Sequence, residues 1–332
     1  MGKQAVLLLA HGTPETVEQV PEYLRNVVSG RPIPQPVVNE IQHRYALIGH
    51  SPLTEITEEQ ARLVEAELAA AGLPVPVYVG MRNWRPYIPD VVKQMRADGI
   101  EEAAVICMAP QNSRTSVGLY RRAAEAEANG LRIDFTEGWA DHPLLAEAFA
   151  ERLRPALAKL SGEGGYAVPV LFTAHSVPLR TIQPLADGNQ GPRLWPGQGA
   201  DPYADDARRT AALVAAAVPE IPEWRFAFQS QGASGGEWIG PSVEETLDAM
   251  AADGVKALIL QPIGFLCDHV EILFDVDRLF REYAVKLGMR LERPESLNGS
   301  VTLARAVADL ARRGLERVRE QGGHSGARLE RK

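Results

Sequence analysis

Two histidines stand at matching places in the chain. His11 lies in LLLAHGTP (residues 7–14) and His175 in LFTAHSVP (171–178), about half of the 332 residues further on. Each follows an apolar run with the look of a buried strand, and the carboxyl end of a strand is where α/β proteins place ligand sites. A histidine there can accept a proton or bind a metal near neutral pH. A third group is CDHVEILFDVD, from Cys267 to Asp277. If this stretch is helical, Asp268, Glu271 and Asp275 fall at i, i+3 and i+7 and share one face. Such close carboxylates repel, and burial beside a cleft raises at least one pKa. A solvated acidic face is the plainer reading, but the preceding LILQPIGFL argues that the first turn is buried.

Other candidates carry less. Gly232 to Gly236 spell G-x-S-x-G around Ser234, the pattern of a hydrolase nucleophile elbow. An elbow needs strand, serine and helix in immediate succession, whereas Trp238-Ile-Gly-Pro intervenes here, so a serine hydrolase is only an alternative. His43, His50, His142 and His324 read as structural.

The candidate residues need elements to hold them. Apolar runs at 5–10, 75–80, 103–109 and 131–137, and again at 168–174, 225–229 and 255–261, alternate with amphipathic helical patterns. Continuous apolar strands alternating with helices predict parallel sheets covered on both faces. The repeat of the histidine motif, and of AAVICMAPQ in ALILQPIGF, predicts two similar halves, 1–162 and 163–322, with a flexible tail at 323–332. The break is placed at SGEGG (161–165), after a helix ending near Lys159, and 183–203 reads as a long Gly/Pro-rich surface loop or lid. Two such halves face to face would set His11 and His175 on the walls of one cleft.

Composition narrows the function. A net charge of −8 without basic clusters argues against nucleic acid as a partner. Cys107 and Cys267, the only cysteines, are too few for a CxxC metal or redox framework and suit a reducing compartment. The apolar run at the N-terminus is too short for a signal peptide, and no run is long enough to span a bilayer. A cytoplasmic protein without an integral membrane segment is expected.

Several segments together resemble the ferrochelatase family: AHGTP, RYALIGHSPL (44–53), APQNSRTSVGLYRRA (109–123), TAHSVP, DPY (201–203), FQSQG with WIGP (228–241) and PIGFLCDHVEILFD (262–275). The resemblance covers most of the chain. It implies an α/β fold of two similar Rossmann-like, chelatase-type domains, each with a parallel sheet flanked by helices, and a porphyrin cleft between them. It implies His175 as the catalytic histidine with Glu271 as its acidic partner, both able to meet the metal. His11, Arg44, Ser51, Arg82 and Trp238 match porphyrin-binding positions, and Asp268 and Asp275 match a path for protons or metal.

The implied reaction is insertion of ferrous iron into a porphyrin in haem biosynthesis, without ATP. Porphyrin and ferrous iron are substrates, no cofactor or iron–sulfur cluster is required, and contacts with neighbouring haem-pathway enzymes are transient. The pattern LRNVVSGRPIP leans towards coproporphyrin III over protoporphyrin IX. Cobalt and sirohydrochlorin chelatases look less like this chain at FQSQG and DHVE, and a non-catalytic haem carrier on the same fold would bind porphyrin without metallating it. The residue types suit the chemistry: a held, bent macrocycle exposes its pyrrole nitrogens, and a histidine–carboxylate pair can take up their protons.

Overall fold

A computed structural model describes residues 2–164, 167–182, 200–231 and 236–326. Its frame is two four-stranded parallel sheets. The first contains β1 (Lys3–Ala10), β2 (Val77–Met81), β3 (Ile100–Cys107) and β4 (Arg132–Thr136) in the order β2-β1-β3-β4. The second contains β5 (Val170–His175), β6 (Trp224–Gln229), β7 (Ala257–Pro262) and β8 (Arg290–Glu292) in the order β6-β5-β7-β8. The two orders are the same topology repeated, as the doubled motif implies.

Burial explains the unbroken apolar strands. In β1, Ala5, Leu7 and Leu9 pack with Ile88, Val92, Met95 and Tyr120 on one side of the sheet. Val6 and Leu8 point the other way, into a larger core. In β5, Leu171 meets Leu247, Leu258 and Ile272, while Val170, Phe172 and Ala174 enter that same larger core. Both central strands are therefore covered on both faces, which only a nonalternating sequence allows. Truncation of the fully buried Phe172 to alanine would cost about 3–5 kcal/mol.

The larger core is shared. Helices Leu53–Ala70, Pro143–Gly164, Tyr203–Ala217 and Val301–Gly326 all contribute to it. The helix Val301–Gly326 packs on β3 and β4 of the first sheet, and Pro143–Gly164 packs on Tyr203–Ala217 and β7 of the second. The expected boundary at 162 divides the sheets, but the helical layer between them does not follow it. Each half covers the other's sheet, so both cleft walls stand on one packed body.

One expected end is corrected. Pro143–Gly164 runs through the first four residues of SGEGG instead of stopping near Lys159, because Leu160 is buried and a helical glycine costs only about 1 kcal/mol relative to alanine. The helix Val301–Gly326 ends within 323–332, and the residues after 326 lie outside the described ones. Most of the loop expected at 183–203, and Ser234 with its motif, lie outside the described residues. No described helix is long and apolar enough to cross a membrane.

Candidate functional site

The carboxyl ends of β1 and β5 open on one cavity of about 380 Å³. His11, Ser51, Arg82, His175, Trp238 and Glu271 all line it, together with Tyr23, Tyr45, Tyr120, Tyr203, Phe265 and His269. Burial pushes the phenols of all four tyrosines above their ordinary range, so they stay neutral donors and acceptors.

The first wall is built by the turn after β1. Gly12 has φ +83°, and a Cβ there would lie 2.9 Å from the backbone nitrogen of Trp84, so only glycine fits. The close approach lets the Arg82 and Asn83 amides donate to the carbonyls of Ala10 and His11, both at 2.9 Å. Those bonds bring Arg82 and the Asn83 side chain against His11. The Asn83 amide nitrogen is 3.1 Å from His11 Nε2. Burial, followed by the Arg82 charge, pulls the His11 pKa from 6.5 down to about 4. His11 is a neutral imidazole at physiological pH.

Ser51 lies on the same wall, fully buried, and its hydroxyl has no hydrogen-bond partner among the described residues. An orphaned buried hydroxyl costs about 1–3 kcal/mol, which a ligand group in the cavity would relieve. The Arg82 guanidinium lies 5.9 Å over the Tyr120 ring, beside it in the cavity lining.

The opposite wall is acid–base machinery. His175 is the last residue of β5, whose end is held by the Tyr203 hydroxyl donating to the His175 carbonyl at 2.8 Å. Its Nδ1 bonds the Ser176 carbonyl, and its Nε2 lies 3.3 Å from Glu271 Oε1. The other oxygen of Glu271 lies 3.4 Å from His269 Nε2, and His269 Nδ1 lies 3.0 Å from the Cys267 carbonyl. Carbonyls only accept, so both Nδ1 atoms carry hydrogens. Each Nε2 then faces a carboxylate, and a proton arriving there gains a charged partner.

The electrostatics agree. Burial pulls His175 down, but the Glu271 charge and hydrogen bond outweigh it, with the Ser176 carbonyl and Asp275 adding to them, and its pKa lies above 6.5. Burial pushes Glu271 up, yet His175 and His269 bring it well below the usual carboxylate range. The arrangement holds a proton once it is taken up. Among the described residues no three His, Cys, Asp or Glu side chains are arranged to hold a metal ion. Cys267 is no thiolate donor either, since burial pushes its pKa up to about 12.

Asp268, Asp275 and Arg44, expected on a path from the site and at its mouth, do not line this cavity. Asp268 precedes the helix instead of sharing its face with Glu271. Its carboxylate accepts from Ser296 at 2.7 Å and Asn298 at 2.9 Å and pairs with Arg293 at 3.2 Å, which ties down the loop after β8. Asp275 and Arg44 lie outside the central cavity and line a neighbouring one of about 410 Å³, where they pair at 3.1 Å. The helix carrying Glu271 and Asp275 is a π-helix over Glu271–Phe280, which spacing arguments based on an α-helix do not foresee. His269 and Tyr203 do not stand out in the sequence. A histidine two residues from the acidic partner is the signal that could find the first; nothing beyond the DPY motif points to the second.

The ferrochelatase family model matches residues 3–315. The chain belongs to the ferrochelatase family. A ferrochelatase of Acidobacterium capsulatum is 57% identical over 317 residues, covering 95% of this chain and 96% of the relative. A coproporphyrin III ferrochelatase of Mycolicibacterium vanbaalenii is 37% identical, covering 97% and 94%. Among solved structures, the sirohydrochlorin chelatase SirB from Bacillus subtilis subspecies spizizenii in complex with cobalt superposes with a TM-score of 0.54 at 13% identity, covering 95% of this chain and 96% of that one. That likeness concerns the fold alone. As a ferrochelatase the chain inserts a metal into a porphyrin, and the described cavity is the concave, largely apolar site such a substrate needs.

Proposed function

We propose that this enzyme inserts ferrous iron into coproporphyrin III in preference to protoporphyrin IX, in the cytoplasm, without ATP or a resident cofactor. The observation that carries the reading is the pairing of unlike walls across one cavity: His175 with Glu271 on one side, neutral His11 on the other. A macrocycle between them presents its pyrrole N–H groups to His175, whose Nε2 accepts a proton that Glu271 then stabilises. Ferrous iron, a substrate, accepts imidazole nitrogen and carboxylate oxygen as passing ligands, so His175 and Glu271 also suit its entry. His11, a neutral imidazole beside the Asn83 amide, faces the ring from the opposite side.

Recognition of the ring edge falls to Ser51, Arg82 and Trp238. Arg82 and the orphaned Ser51 hydroxyl suit carboxylates, which coproporphyrin carries in greater number than protoporphyrin. The relative named as a coproporphyrin III ferrochelatase and the LRNVVSGRPIP pattern support the same preference. Two buried cysteines are too few for a Cys₄ iron–sulfur cluster, which supports the absence of one. The test is anaerobic metallation by ferrous iron of each porphyrin in turn, followed by absorbance without added nucleotide. A higher kcat/KM for coproporphyrin III is expected; a higher value for protoporphyrin IX would reverse the substrate assignment.

A further inference from the structure

The Arg44–Asp275 pair joins the two halves at a place where no substrate atom is needed to explain it. Arg44 sits on the helix Gln35–Ile48, and Asp275 on the π-helix Glu271–Phe280. The guanidinium is held three ways: Nε on Glu40 at 3.0 Å, Nη1 on Asp275 at 3.1 Å, and its carbon 5.1 Å over the Phe274 ring. Asp275 is almost wholly buried, with 4% of its side chain exposed, and its second oxygen accepts from Ser230 at 2.5 Å. Ser230 adopts a left-handed backbone, φ 60°, a conformation a serine rarely takes without constraint.

A π-helix is rare and usually a single turn, because its wide ring weakens internal packing. Here it runs for ten residues. Ile272, Val276 and Phe280 anchor one side of it in the core. The side that carries Glu271 needs its own anchor, and the first one beyond His175 and His269 is Asp275, one wide turn on.

We propose that Arg44 is a positioning residue: from the opposite half it grips Phe274 and Asp275 and so sets the rotation of the π-helix that aims Glu271 at His175. The inference rests on the reading that the His175–Glu271 pair handles the pyrrole protons. It assigns Arg44 an effect on rate, transmitted through Asp275, instead of an effect on porphyrin affinity. The guanidinium fork matters because a lysine can meet Asp275 but cannot also bond Glu40 and lie flat on Phe274.

The experiment is steady-state metallation by the intact protein and by Arg44→Ala, Arg44→Lys, Asp275→Ala, Ser230→Ala and the Arg44→Ala/Asp275→Ala double variant, with melting curves for each. Arg44→Ala should lower kcat roughly ten- to a hundredfold, the scale of a misplaced catalytic group, while the porphyrin KM changes less than about twofold. Arg44→Lys should recover part of that loss. The double variant should be no slower than the worse single, because both act through one contact. Ser230→Ala removes only the second anchor and keeps the fold testable if the charge variants melt early; it should lower kcat by a smaller factor. An Arg44→Ala variant with raised KM and unchanged kcat, or losses that multiply in the double variant, would overturn the inference alone. Failure of the wild type to metallate would overturn the proton-handling reading and this inference with it.

Discussion

The turn after β1 and the end of β5 occupy equivalent places in a repeated topology, yet their histidines have opposite proton affinities. His11 is half-buried, and its desolvation, followed by the Arg82 charge, brings its pKa down to about 4. His175 is likewise half-buried, but it faces Glu271, with Asp275 behind, and its pKa rises. The scaffold supplies position; the neighbours supply charge. A duplicated fold can therefore hold a base and a neutral ligand face to face, because a few charges decide the sign of each shift. The division suits metal insertion, in which one face of a ring loses protons while the other is left open to a neutral donor.

The comparison breaks most visibly at His175. Replacement by alanine removes the acceptor and leaves the cavity, so metallation should fall about 10²–10⁴-fold while porphyrin binding, read by fluorescence quenching, persists. A variant that metallates within a few fold of wild type would show that the β5 wall is not the base.

The next effect is smaller and concerns pH. Because Glu271 holds the His175 pKa above 6.5, the wild-type rate should climb with pH through a midpoint on that side, as His175 becomes neutral and able to accept. Glu271→Gln removes the charge that favours the imidazolium while burial, which disfavours it, remains. The midpoint should then move to lower pH, with a plateau reduced by roughly tenfold or more because the proton taken up is less well held. Since His175, Glu271 and His269 interact, the midpoint belongs to the cluster as a whole. A midpoint that stays put in the variant would detach Glu271 from the base.

These assignments were unequally legible in the sequence. Seven of the strands announce themselves, β1 and β5 most clearly because burial on both faces leaves long apolar runs, while β4 and β6 keep polar residues at partly exposed positions. β8 does not announce itself, since it has three residues and only Leu291 is buried. The exchange of helices across the boundary is invisible in the chain, because an amphipathic helix shows which face is buried but not which sheet buries it. His175 and Glu271 meet as their motifs imply. Asp268 does not join them: the spacing argument assumed a helix starting at Cys267, whereas the preceding loop is tied to Ser296 and Asn298, contacts 28 and 30 residues away. Arg44 shows the same limit, since its partner Asp275 lies 231 residues on and in the other half.

His11 provides the gentlest test of the contrast. If the β1 wall only approaches the iron as a neutral donor, His11→Ala should keep turnover within about tenfold of wild type and change chiefly the absorption bands of bound product. A second consequence follows from linkage. The unfolded chain takes up a proton at His11 near pH 6.5, whereas the folded protein resists until about 4, so between those values unfolding binds more protons and wild-type stability falls as pH falls. The contribution is on the order of 1–3 kcal/mol by pH 4 and absent at pH 7.5. The His11→Ala variant lacks it. Its melting temperature, lower than wild type at pH 7.5 through lost packing, should draw level or overtake as the buffer is taken down to pH 4.5. A gap that widens on acidification would mean that His11 is protonated in the fold, and the two walls would then no longer differ in the way that separates base from ligand.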